Sequence, residues 1–276
     1  MSRHLLHPTL AALALALALG ALPARAEDRA TLKLATTTST ENTGLLDVLL
    51  SAFTAKTKIR VQVIAVGTGK ALKLGENGDV DLVMVHAREA EESFVARGFG
   101  VERHPLMKND FLIVGPAADP SGVKGAGSLD EALRRLKRCK APFVSRGDNS
   151  GTHMRELKLW KLVDRRPDGP GCYFEIGQGQ EAMLRMAHEK QGYALTDRGT
   201  YISVREKLPL VPVYERDPQL DNPYSLIAVN PKRHRHVRHA EATKLISWLT
   251  SAEGQRRIGA FRVEGEVLFH PTAVQK

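Results

Sequence analysis

From Leu32 onward, short apolar runs alternate with segments whose apolar residues recur every three or four positions. Leu32-Lys33-Leu34-Ala35 alternates as a strand does, and Leu45, Leu46, Leu49 and Phe53 then share one face of a helix. Residues 60–66 read as the next strand. Residues 80–85 are almost wholly apolar, as in a parallel sheet covered on both faces. Residues 110–114 form another strand, stopped by Gly115-Pro116. Ser128 and Glu131 make a capping box before a helix that buries Leu129, Ala132, Leu133 and Leu136. Pro142 to Val144 make a short strand, and a helix carrying Leu157 and Trp160 follows from Thr152. Met183 and Met186 mark a further helix, and 192–196 a strand. Residues 208–213 contain Pro209 and Pro212 and so form an edge strand at best. A strand at 224–229 and an amphipathic helix at 241–250 complete the pattern. Such alternation predicts an α/β fold with mostly parallel sheets, whose ligands bind at the C-terminal ends of strands.

The turns at those ends are rich in hydroxyl residues. Phe-Val-Ser-Arg-Gly-Asp-Asn-Ser-Gly-Thr-His (143–153) passes from strand to helix through Ser145, Arg146, Ser150, Gly151 and Thr152. A helix N-terminus offers unpaired N–H groups and the positive end of its dipole, a natural anion site. The hydroxyls add donors, and Arg146 adds a permanent charge with a planar donor fork. The first strand runs into Thr36-Thr37-Thr38-Ser39-Thr40, more hydroxyls than one N-cap needs. The second ends in Gly67-Thr68-Gly69-Lys70, a Gly/Thr-rich loop ahead of a short helical run. It is not a nucleotide loop, because Ile64 occupies the first glycine position and Ala71 replaces the magnesium-binding hydroxyl. Ser150, Asp148 and His153 crowd together as a hydrolase triad would, but the Gly-x-Ser-x-Gly elbow is not met. His86 closes the third strand and reads first as structural. His234-x-His236-x-x-His239 lacks local carboxylate or cysteine partners for a metal.

Composition adds a compartment. Met1–Ala26 carries Arg3, an Ala/Leu run from Leu10 to Leu22 and Ala24-Arg25-Ala26, the layout of a cleavable export signal. The apolar run is too short and Ala-rich to serve as a membrane span, and no cysteine near the cleavage site offers a lipid anchor. The periplasm is the expected location. The 276-residue chain carries a formal charge of +9, spread over surfaces such as Arg134–Arg138 and Lys232–Arg238. In an exported protein it does not point to nucleic acid. Two cysteines, Cys139 and Cys172, flank the Ser145–Thr152 turn. A disulfide is permitted in that compartment, and two buried thiols are the alternative.

The turns also carry a resemblance. Ala-Thr-Thr-Thr-Ser (35–39), Ala-Val-Gly-Thr-Gly-x-Ala-Leu (65–72), Gly-Asp-Val-Asp-Leu-Val-Met-Val-His (78–86), Asn-Asp-Phe-Leu-Ile-Val-Gly-Pro (109–116), Ser-Arg-Gly-Asp-Asn-Ser-Gly-Thr-His (145–153), Leu-Thr-Asp-Arg-Gly-Thr-Tyr (195–201) and Asn-Pro-Tyr-Ser (222–225) span nearly the whole mature chain in order. Together they resemble the tungstate-binding proteins of bacterial ABC importers, relatives of the molybdate and sulfate binders. The resemblance implies a two-lobe type II periplasmic binding protein with its cleft between the lobes. Residues 27–111 and 225–276 would form lobe I and 112–224 lobe II, joined by strands crossing near 110–114 and 224–229. It implies a monomer with no cofactor, no catalytic residue and no bound metal ion, which holds tungstate or molybdate as an oxyanion and hands it to an ABC permease. Thr37, Thr38, Ser39 and Thr68 would donate from one lobe, and Ser145, Arg146, Ser150, Gly151 and Thr152 from the other. Lys108 stands where tyrosine is expected and Gln180 where methionine is expected, and both are expected at the cleft rim. Another oxyanion, sulfate or phosphate, and a serine hydrolase using Ser150 are the competing readings.

Overall fold

The computed structural model describes residues 31–273, so the leader Met1–Ala26 lies outside the described residues. Strand β1 (Thr31–Thr37) buries Leu32, Leu34 and Ala35 and ends in a one-turn helix, α1 (Thr38–Glu41). Gly44, left-handed at φ 77°, separates that turn from α2 (Leu45–Thr57), which buries Leu45, Leu46, Leu49, Leu50 and Phe53. Then come β2 (Arg60–Val66), α3 (Thr68–Asn77), β3 (Leu82–Val85) and α4 (Arg88–Ala96). Gly-Thr-Gly-Lys is therefore the first turn of α3 and not a loop: Thr68 opens the helix with Gly67 as its N-cap. Strand β1 lies between β2 and β3 and is parallel to both, which sends the ends of all three to one edge.

The next strand, β4 (Gly100–Pro116), crosses the molecule. Its first part pairs antiparallel with β9 (Asp221–Val229), and its last part with β7 (Ala194–Asp197) and β8 (Leu210–Tyr214). Between these strands lie α5 (Leu129–Lys137), β5 (Phe143–Ser145), α6 (Gly151–Lys161), β6 (Tyr173–Glu175), α7 (Gln180–Glu189) and α8 (Arg198–Val204). Strands β5 and β6 are parallel, whereas β9 is antiparallel to β3 and β4. The turn-bearing strands thus pair in parallel, and the crossing strands make the sheet mixed. After β9 come α9 (His239–Leu249), α10 (Ala252–Ala260) and three two-residue strands, β10 (Arg262–Val263), β11 (Glu266–Val267) and β12 (His270–Pro271).

The hydrophobic core divides along β4. Leu106 and Met107 pack with Leu32, Phe53, Tyr224, Leu245 and Phe269, while Phe111 and Ile113 pack with Leu133, Phe143, Trp160 and Tyr193. At Gly115 a Cβ would stand 2.3 Å from the Tyr193 ring, so only glycine lets β4 pass that side chain. Cys139 and Cys172 are joined as a disulfide with Cα atoms 5.4 Å apart. Cys172 accepts a backbone hydrogen bond from Phe143, so the bridge braces the start of β5. In the chain-entropy model, closing a loop of 33 residues' separation stabilises by about 3–4 kcal/mol. The histidine cluster is structural. His234 and His236 meet the carbonyl oxygens of Glu76 and Gly78 through Nε2, occupying acceptors left free at the end of α3. Among the described residues no group of histidine, cysteine or carboxylate side chains could hold a metal ion.

Candidate functional site

The parallel strands direct their C-terminal ends to one small cavity of about 10 Å³, room for little more than a water molecule. Thr37, Thr38 and Ser39 reach it from the end of β1, Val66, Gly67 and Thr68 from β2, and His86 from beyond β3. Arg146 reaches it from the opposite side, after β5, with Ser150, Gly151 and Thr152 at the start of α6. Ser39 and Arg146, far apart in sequence and rooted in different cores, line the same space. Among the described residues, no aspartate or glutamate lines it.

Two helix N-termini of useful length open onto the cavity. Gly67 caps α3 without a side chain, which leaves the N–H groups of its first turn uncapped. The buried Thr68 hydroxyl has no hydrogen-bond partner. At α6, Ser150 is the N-cap and its Oγ accepts the His153 N–H at 3.3 Å. The Gly151 and Thr152 N–H groups lie ahead of the helical ladder. Thr37 Oγ1 lies 2.7 Å from Thr40 Oγ1 and 3.3 Å from Ser39 Oγ, a chain of hydroxyls that can turn its protons toward a guest.

Arg146 is buried, and its orientation is fixed by two neighbours. Nη2 donates to Asp148 at 2.5 Å, Nη1 donates to Gln180 Oε1 at 3.4 Å, and Nε has no partner. Gln180 is the hub behind the wall. Its Oε1 also accepts from Thr152 Oγ1 at 2.6 Å, and its Nε2 donates to Thr196 and Asp197. Of the two unusual positions noted in the sequence, Gln180 therefore touches the site. Lys108 does not: it pairs with Asp221 at 2.8 Å on the crossing strands, where the cavity is lined by other residues.

Ser145 is wholly buried but does not line the cavity. It lies beside Glu156 and Tyr173, one residue before Arg146. Glu156 Oε1 accepts hydrogen bonds from Tyr173 and from Trp160 Nε1, the latter at 3.0 Å. Burial pushes the Glu156 carboxyl up to about 7, against the pull of these donors. The Tyr173 phenol is raised as well, by burial and by the adjoining carboxyl.

A hydrolase triad is not assembled. His153 Nδ1 accepts the Asn149 N–H at 3.0 Å, and Ser150 Oγ is engaged by a backbone N–H. Asp148 binds Arg146 and the Ser150 N–H rather than the imidazole. The nucleophile–base–carboxylate chain that such chemistry needs is therefore missing. Sequence reasoning passed over His86 as a wall residue. Its only signal was a histidine closing an apolar strand, which packing alone often explains.

Comparison with known proteins agrees with this architecture. The model of the PBP superfamily domain matches residues 23–253. The tungstate-binding protein TupA of Peptoclostridium acidaminophilum is 44% identical over 246 residues, covering 88% of this chain and 86% of that protein. Among solved structures, the tungstate-binding protein TupA from Desulfovibrio alaskensis G20 is 48% identical with a TM-score of 0.78, covering 89% of this chain and all of that one. The tungstate ABC transporter structure from Geobacter sulfurreducens is 51% identical with a TM-score of 0.77, covering 84% and 98%. The α/β fold is the two-lobe one of periplasmic binding proteins. The chain belongs to the PBP superfamily and, within it, to the family of the tungstate-binding protein TupA.

Proposed function

We propose that this protein captures tungstate, or its close analogue molybdate, in the cavity between its lobes and delivers it to an ABC permease from the periplasmic side of the membrane. It would work as a monomer, without a cofactor and without catalysing a reaction. The observation that carries this reading is the cavity itself: hydroxyl, amide and guanidinium groups from the ends of β1, β2 and β5 converge on a space that, among the described residues, no carboxylate lines. The names of the relatives, tungstate-binding proteins and a tungstate ABC transporter, support the choice of anion.

Thr37, Thr38, Ser39 and Thr68 would donate from lobe I, and Arg146, Ser150, Gly151 and Thr152 from lobe II. Thr152 would serve chiefly through its backbone N–H, since its hydroxyl donates to Gln180, and Ser150 through its hydroxyl proton, since its Oγ accepts the His153 N–H while its own N–H is taken by Asp148. Ser145 would act from behind the wall, as the residue that sets Arg146. Neutral donors and helix ends suit a fully dehydrated dianion, because each oxygen is satisfied without a counter-charge of its own. We assign lobe I to 27–111 with 225–276 and lobe II to 112–224. The cores divide close to those bounds but not at them: Phe111 packs into the lobe II core and Tyr224 into the lobe I core, so each crossing strand changes core at least one residue earlier than assigned. An anion held by both lobes favours the closed form, which is the state a permease can distinguish.

Competition calorimetry tests the reading. Tungstate and molybdate are expected to bind one site per chain and displace each other. Sulfate and phosphate should displace tungstate only at concentrations at least a hundredfold higher. Equal competition by sulfate would move the assignment to another oxyanion, and no heat with any of the four would remove it.

A further inference from the structure

The cavity wall contains one side chain that can change its charge where the anion would sit. His86 is buried between the lobes, its ring stacked on Tyr224 with centroids 4.7 Å apart. A Cβ added to Gly151 would lie 2.5 Å from His86 Cε1 and 3.0 Å from each ring nitrogen. Only glycine at the start of α6 lets the imidazole approach the N–H groups that point into the cavity.

Hydrogen bonding fixes the role of one ring nitrogen. Asn222 Nδ2 donates to Asn109 Oδ1 at 2.7 Å and to the Tyr224 hydroxyl at 3.2 Å. The Asn222 oxygen is thus left to accept, and it accepts from His86 Nδ1–H at 2.8 Å. The proton of a neutral imidazole is then committed to Nδ1, and Nε2 carries a lone pair with no partner among the described residues. A lone pair at the wall of an oxyanion cavity repels the guest, whereas the same nitrogen protonated is a charged donor.

We propose that His86 is a further ligand of the bound anion, donating from Nε2 in a protonated form that the anion itself brings about, so that each captured anion carries a proton in with it. This inference rests on the oxyanion reading of the cavity. The proton comes from solvent; no covalent bond other than Nε2–H is made.

The groups facing His86 support it. Burial, and to a lesser extent the Arg146 charge, hold the imidazole below its ordinary value, against the Asn222 hydrogen bond and Asp197, which pull the other way. Phe111 of β4 is apolar, and burial pushes the Tyr224 phenol well above its usual range, so neither supplies a counter-charge. The groove that His86 borders on its other side carries Arg88, Glu89, Glu92, Arg155, Lys158 and Asp221, a balanced set that leaves no net anion to stabilise an empty-state imidazolium. A dianion entering the cavity supplies the missing negative charge. The linkage therefore falls between the depressed value of the empty site and the raised value of the filled one.

Tungstate titration calorimetry at pH 7.5, in buffers of differing ionisation enthalpy, reads the proton count directly. The wild-type chain is expected to take up close to one proton per tungstate, with affinity falling toward tenfold per pH unit on the alkaline side. The His86→Gln variant is expected to bind at least tenfold more weakly and to take up almost no proton. A second readout is independent of that variant: the wild-type His86 ring nitrogens should move to their imidazolium shifts on adding tungstate. Tungstate binding without proton uptake from pH 6.5 to 8.5, or uptake unchanged in His86→Gln, overturns the inference and leaves the oxyanion reading standing. No tungstate binding by the wild type overturns both.

Discussion

Replacing Arg146 by alanine is expected to weaken tungstate binding by about 2–5 kcal/mol, roughly thirty-fold to several thousand-fold, with the fold intact. The loss has two parts. Among the described residues the guanidinium is the one permanent positive charge on the cavity wall, so its fork of donors is lost to the anion. Asp148, now paired with Arg146 at 2.5 Å, is left as a bare carboxylate beside an incoming dianion. Arg146→Lys keeps a charge but not the planar fork and should fall between the two. Calorimetry on the three proteins checks the order. Unchanged affinity in Arg146→Ala would place the anion elsewhere.

Replacing Glu156 by glutamine is expected to change how stability depends on pH. The buried carboxyl titrates near 7 in the folded protein and near its ordinary 4.5 when unfolded. Below pH 4.5 both states hold the proton, and this group contributes no slope. Between pH 4.5 and 7 the unfolded chain releases the proton while the folded one keeps it, so stability falls as pH rises through the folded value. The total is about 3 kcal/mol, from roughly 1.4 kcal/mol per unit. Glutamine mimics the protonated acid: its oxygen can still accept from Tyr173 and Trp160, and its amide faces Ser145. Urea unfolding should show Glu156→Gln matching the wild type near pH 4 and exceeding it by about that amount at pH 8. Parallel stability curves from pH 4 to 8 would show that Glu156 is ionised in the folded state.

Much of the fold is legible because burial leaves a period in the sequence. Residues 80–85 read as a covered strand and 241–250 as a one-faced helix, and Leu82–Val85 and His239–Leu249 are where those elements stand. Elements without a period were not legible. The early part of β4 runs through Glu102-Arg103-His104-Pro105, where neither face is consistently apolar, and β10 to β12 are two residues each. The hydroxyl-rich turns could be found because several adjacent hydroxyls exceed what capping one helix requires. The turn at Thr68 was misread because glycines on both sides look like a loop, while α3 starts directly on Thr68.

The residues that tie the site together left weaker signals. Gln180 is distant in sequence from Arg146 and Thr152, yet its amide holds both, a role set by packing. His86 is one histidine at the end of a strand. What gives it meaning is the Gly151 backbone against its ring and Asn222 on its Nδ1, contacts that only the folded chain creates. Lys108 shows the converse. It stands out beside a motif, but it pairs with Asp221 on the crossing strands and does not line the cavity.

The most direct test of the account is a crystal of the mature chain grown with tungstate, with diffraction recorded at the tungsten absorption edge. A single strong anomalous peak is expected between Thr38–Ser39 and Gly151, with donors from both lobes about 2.7–3.2 Å from the oxygens around it. A peak outside that cavity, or oxygens contacted from one lobe alone, would contradict the claim that the turns converge to hold the anion.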